Sequence, residues 1–146
     1  MDMVQATKSV VSSLTATSAQ TASSTIDVVG FDSISVDVLY RPTAAGAPSV
    51  LRLVGSNDQT TFSTISGLVS GTDYTVATAG TTNGLVYRFD ASLKHVGRYV
   101  RVEVTPNSAV GATASTVVVA ARLSQAEKGP VSASDKGVGQ AVVRVG

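Results

Sequence analysis

From Gly97 to Thr105 the chain reads Gly-Arg-Tyr-Val-Arg-Val-Glu-Val-Thr. Val100, Val102 and Val104 fall on one side of an extended backbone, and Tyr99, Arg101 and Glu103 on the other. A period of two is what a β-strand needs when one face is buried and the other wet. The pattern recurs. Ile34, Val36, Val38 and Tyr40 alternate with Ser33, Ser35 and Asp37, and Leu51 and Leu53 flank Arg52. Leu85, Tyr87 and Phe89 alternate with Val86, Arg88 and Asp90, and Val117, Val119, Ala121 and Leu123 share one face. No segment shows a helical period of comparable quality, so the chain is expected to be all-β.

Composition agrees. Val supplies 25 of the 146 residues, Ala 18 and Leu only eight, while Ser and Thr together number 36. The branched Cβ of Val suits a pleated surface, and hydroxyl residues suit exposed strand faces and turns. The length predicts one domain with a real core. Strands are expected at Val4–Leu14, Thr25–Val29, Ser33–Arg41, Ser49–Gly55, Thr61–Ile65, Tyr74–Ala79, Leu85–Asp90, Gly97–Thr105 and Ser115–Leu123. Thr15–Thr25 reads as a polar surface connection, and Ala91–Val96 as a single helical turn or a bend. Gly30 and Pro42 end the strands before them, because proline cannot donate to a ladder. About eight strands separated by turn signals predict a two-sheet sandwich or barrel.

The chemistry is sparse. Charged residues are 14% of the chain and the net charge is +1, which argues against an electrostatic nucleic-acid binder. There is no Trp and aromatics are 5%, so base-stacking platforms are not expected. Without Cys there are no disulfides and no thiolate metal sites. The N-terminus lacks the basic and apolar regions of a secretory signal, and the longest apolar run, Val117–Ala121, is far too short for a membrane helix. Neither phosphate-loop motif occurs. The single histidine, His95, lies between Lys94 and Val96 in an expected bend and reads as a corner residue, not a base. Asp58 could lend a carboxylate to calcium, but Asn57-Asp58 reads more simply as a turn. Glu103 beside Arg101 reads as part of a solvated charge ladder, not one of a catalytic carboxylate pair. No enzymatic activity and no cofactor are expected.

Two resemblances follow. Leu51 to Ile65, an apolar strand, a Ser-Asn-Asp turn and a strand carrying Phe62 and Ile65, is similar to the strand–turn–strand of discoidin-like jelly rolls, and Gly97–Val104 resembles another of their strands. A narrower resemblance spans most of residues 25 to 125. Thr25 to Val38, Gly55 to Ile65, Arg98 to Pro106 and Leu123-Ser124-Gln125-Ala126-Glu127 resemble, in order and spacing, small proteins encoded among the head genes of tailed bacteriophages. Ser33-Ile34 stands where an aromatic–small pair is common there, and Gln125 where an Arg is usual. Those proteins are similar to jelly-roll capsid decoration, or cement, proteins.

The resemblance implies a jelly-roll-like antiparallel β-sandwich over residues 1–125, on the outer surface of a virion capsid. Its partner would be the major capsid protein and its state a homotrimer, with no nucleic acid or membrane involved. The alternative is a discoidin-like carbohydrate-binding module displayed on the virion, with Tyr74, Tyr87, Asn57, Asp58 and Asn107 as candidate contacts. Residues 126–146 read as a C-terminal extension. Within it Ala141, Val142, Val143, Arg144 and Val145 form a β-prone segment. It is either a last strand of the domain or an arm that adds to a neighbour's sheet edge.

Overall fold

The structure, a computed structural model, describes residues 7–94 and 96–126. It is an eight-stranded antiparallel β-sandwich. The strands are β1 (Lys8–Ala16), β2 (Ala22–Asp27), β3 (Phe31–Arg41), β4 (Val50–Ser56), β5 (Ser63–Val69), β6 (Leu85–Ser92), β7 (Tyr99–Thr105) and β8 (Ser115–Ala126), with one 3-10 turn at Ser108–Val110. The first sheet has the order β1-β8-β3-β6 and the second β2-β7-β4-β5. Strand β1 therefore pairs with β8, β2 with β7, β3 with β6 and β4 with β5. Four nested antiparallel pairs rolled into two facing sheets make a jelly roll.

The alternating valines are what the two sheets bury against each other. Val36, Val38 and Tyr40 from β3, Val100, Val102 and Val104 from β7, and Val117, Val119 and Leu123 from β8 are at most 1% exposed, as are Leu51 and Leu53 from β4. A buried side chain of this size stabilises the fold by about 1.5–3 kcal/mol through removal of apolar surface from water. Branched residues also lose little rotamer freedom in a strand, so the core is inexpensive to order.

Several expectations need correction. The first strand begins at Lys8 and runs to Ala16. The stretch read as a polar connection from Thr15 to Thr25 contains most of β2, whose inward residues are Ala22, Ser24 and Ile26. Small inward side chains hide the alternation there. Gly30, at φ 84°, makes the break expected after that strand. Strand β5 lies two residues later than expected and runs on to Val69. Tyr74–Ala79 is not a strand. It makes only isolated bridges, Ser70 with Tyr74 and Gly46 with Ala79. Two tyrosine hydroxyls hold it instead: its own Tyr74 donates to the Leu51 carbonyl, and Tyr87 of β6 donates to the Ala77 carbonyl. At the 91–96 corner, β6 continues through Ser92, and a turn follows in which the Val96 N–H donates to the Leu93 carbonyl. His95 and the expected extension from residue 127 onward lie outside the described residues.

Candidate interaction surfaces

Three surfaces could meet a partner: the outer face of each sheet, and the side of the sandwich where the edges of β5 and β6 approach one another.

On the outer face of the first sheet, strand register sets cross-strand rows. Ser9, Arg122, Ser35 and Asp90 form one row, Val11, Ala120, Asp37 and Arg88 the next, and Ser13, Val118, Leu39 and Val86 a third. Val11 on β1 is 68% exposed and Val86 on β6 is 57% exposed. Three charges of this face, Asp37, Arg88 and Asp90, are consumed internally, while the Arg122 side chain makes no ion pair or hydrogen bond among the described residues. Arg88 donates from Nε to Asp37 Oδ1 at 2.6 Å and from its terminal nitrogen to Oδ2 at 2.9 Å, a bidentate fork. That guanidinium holds the Asp37 carboxyl below its usual range. The Ser35 hydroxyl donates to Asp90 at 2.6 Å. What remains is small, flat and mostly uncharged.

The outer face of the second sheet carries a charged cluster. Glu103 accepts from Arg52 Nε and from a terminal nitrogen of Arg101, each at 2.7 Å. Phe62, brought over by the turn after β4, lies 3.8 Å from the Arg101 guanidinium carbon. The ladder expected on this face is present, but it is not solvated: Glu103 is only 7% exposed. Two arginines engage it, the Phe62 ring stacks on one of them, and the Arg101 Nε is left buried without a partner among the described residues. The signal missed was Phe62, whose position across the sheet depends on the turn geometry. At the end of this face Arg98 pairs with Asp27 at 2.9 Å and holds that carboxyl low.

The third surface is a groove of about 410 Å³ between the β5 and β6 edges. Leu51, Leu68, Tyr74, Tyr87 and Phe89 line it, with Arg88 and Asp90 at its rim. Tyr74 meets Phe89 edge to face, with ring centroids 6.2 Å apart. Both tyrosine hydroxyls are already committed: Tyr74 donates to the Leu51 carbonyl and Tyr87 to the Ala77 carbonyl. Burial is the main cause that pushes each phenol up to about 12.

The residues proposed as sugar contacts do not gather into one cluster. Tyr74 and Tyr87 share the groove. Asn107 is buried elsewhere, bonded through Oδ1 to the Tyr40 hydroxyl at 2.6 Å. Asp58 caps its own turn, accepting from the Thr60 and Thr61 N–H groups at 2.8 Å and from the Ser56 hydroxyl at 2.9 Å. These donors hold its carboxyl low. The segment Ala141 to Val145, expected to grip a partner, lies outside the described residues. Sequence reading overlooked Val11 and Val86. Their signal was an apolar residue standing in the outward, polar register of an otherwise alternating strand.

No protein-family model matches the chain, and no curated protein matches it. Among solved structures, a chain described under "Bacillus endospore appendages form a novel family of disulfide-linked pili" aligns over 81% of this chain and 86% of its own, with 13% identity and a TM-score of 0.39. A likeness at that score carries no argument about function.

Proposed function

We propose that the chain is a structural protein of a tailed-phage virion, a jelly-roll module that decorates and stabilises the outer surface of the capsid by binding the major capsid protein as a homotrimer. One observation supports this best. The polar side chains most suited to recognising a small molecule, those of Asp58, Tyr74, Tyr87 and Asn107, are spent on the protein's own backbone and side chains. The surface left for a partner is sheet face and strand edge, together with the groove between β5 and β6, whose tyrosine hydroxyls are already bonded. Broad faces and edges suit another protein better than a small ligand, which favours concave sites. A stiff sandwich also loses little conformational entropy when it docks, and a trimer repeats each weak contact three times.

The test is co-sedimentation of the purified chain with shells assembled from the major capsid protein encoded beside it. Saturable pelleting with shells, and none without them, is expected. A chain that stays in the supernatant at every concentration refutes the proposal. The groove between β5 and β6, with its aromatic walls and charged rim, supports the second reading, a carbohydrate-binding module. Silence across a broad glycan array removes that reading.

A further inference from the structure

We propose that copies of this chain join head to tail through the first sheet, the β1 edge of one copy pairing with the β6 edge of the next. The proposal rests on the homotrimer reading above and names its contact surface. Strands β1 and β6 are the two ends of the order β1-β8-β3-β6. Among the described residues, no backbone hydrogen bond reaches the outer side of either. The excursion between β5 and β6 touches β6 through the Tyr87 and Phe89 side chains, with no hydrogen bond to the β6 main chain among the described residues.

Four observations favour these two edges. The first is direction. In a four-stranded antiparallel sheet the first and last strands run oppositely. Copies related by an axis along the strands therefore continue an all-antiparallel ladder across the junction. Such a contact is heterologous, and it closes into a ring when the rotation allows. The second is the scarcity of protection. Free edges are normally blunted by proline, bulges or unpaired charge, and here the one charge of the two edge strands with no ion pair or hydrogen bond among the described residues is Lys8, at the start of β1. Strand β1 pairs with β8 in unbroken register over its whole length, and so does β6 with β3. Neither contains proline. The β6 charges are already engaged, Arg88 by Asp37 and Asp90 by Ser35. In the second sheet, by contrast, β5 is irregular in its pairing with β4, and β2 has only 6 residues.

The third observation is the pair of exposed valines, which occupy the outward face of the first sheet, one on each edge strand. Pairing Val11 of one copy opposite Val86 of the next buries both. The fourth is that this register also matches the inner sides. It sets Val10 opposite Tyr87, joining two apolar groups that in the single chain are only partly buried, and places Leu85 opposite Ser12, whose hydroxyl is engaged by Ser24. The row Ser13, Val118, Leu39, Val86 would then run on into Val11 and Ala120 of the next copy.

The experiment uses the full chain and measures mass by light scattering for the unsubstituted protein, Val11→Lys, Val86→Glu and the double variant carrying both substitutions. Both side chains are exposed, so the circular-dichroism spectrum should hold. The expected result is a trimer for the unsubstituted chain, a monomer for each single variant, and recovered association in the double variant, where at every junction the introduced ammonium faces the introduced carboxylate. A monomeric unsubstituted chain overturns the proposal. So do single variants that keep the trimer mass, loss of association in only one of them, or a double variant that fails to recover. If deleting residues 127–146 dissociates the trimer while both single variants leave it intact, the terminal segment makes the contact instead. Shell binding that survives with an intact trimer in both single variants would sink this inference and leave the proposed function standing.

Discussion

Among the described residues Tyr40 is the largest fully buried side chain, and its hydroxyl has to be satisfied there. It donates to Asn107 Oδ1 at 2.6 Å and accepts the Asn107 N–H at 3.1 Å, while Asn107 Nδ2 reaches the Ala44 and Ala45 carbonyls at 3.2 and 3.4 Å. One buried knot thus ties β3 to the loops that follow β3 and β7. Tyr40→Phe keeps the ring and leaves two buried polar groups of Asn107 without their partner, at a cost of about 1–3 kcal/mol. The denaturant midpoint should fall with the slope unchanged; an unmoved midpoint would contradict the assignment. Titration is also legible at this scale. Arg98 beside Asp27, Arg88 beside Asp37 and the Thr61 and Thr60 amides at Asp58 all lower carboxyls whose ordinary value is 3.8. The folded state then binds fewer protons than the unfolded chain. The stability these groups add is complete above about pH 4 and drains as pH falls through their lowered folded values. On the alkaline side Tyr74 and Tyr87, raised from 10.0 to about 12, lose their contribution between those two values. Melting temperature should therefore drop at both extremes, and Asp27→Asn should flatten the acid limb. A melting temperature independent of acid pH would be inconsistent with these pairs.

At the scale of elements, the corner into β7 depends on one glycine. Gly97 has φ 104°, and a Cβ there would lie 2.6 Å from the Ser56 carbonyl oxygen and 2.9 Å from Asn57 Oδ1. Gly97→Ala adds backbone strain of about 1–3 kcal/mol to that collision, so thermal unfolding should shift down by several degrees. An alanine variant as stable as the parent would show that the corner relaxes freely. This position also shows how far sequence reading reaches. Wherever large apolar residues alternate with polar ones, as in Ile34–Tyr40 or Val100–Val104, strand and buried face were both readable, because period and hydrophobic contrast coincide. Gly97 itself was assigned to the strand, since composition does not reveal a left-handed turn joined to a strand start. Strand β2 was placed too late, at Thr25–Val29, because Ala22 and Ser24 bury as little bulk as the surface residues beside them expose. Tyr74–Ala79 was read as a strand because its tyrosine and valine have β character, yet its tyrosine serves the groove and its backbone stays unladdered. The candidate surfaces were less legible than the core. Glu103 is paired with Arg101, whose guanidinium lies under Phe62 from the turn after β4, and the weight of Val11 and Val86 depends on which strands end the sheet. Strand order of that kind is a long-range property that local patterning does not encode.

For the molecule as a whole, nested pairing makes a body in which every inner strand is held on both sides, and among the described residues only β1, β6, β2 and β5 present edges. Amide hydrogen exchange should rank accordingly, slowest in β3, β8, β4 and β7 and faster at the four edges. Uniform exchange across all strands would mean that the sandwich opens as one unit. A body of this kind has little scope for internal motion and much flat surface, which fits the proposed role of holding copies of itself and a larger particle. Averaged electron images of capsid shells incubated with the purified chain test that role most directly. The expected image has three jelly-roll-sized densities at each local threefold position of the outer surface, joined side by side along sheet edges. A bare shell surface, or density at sites with no threefold relation, would contradict it.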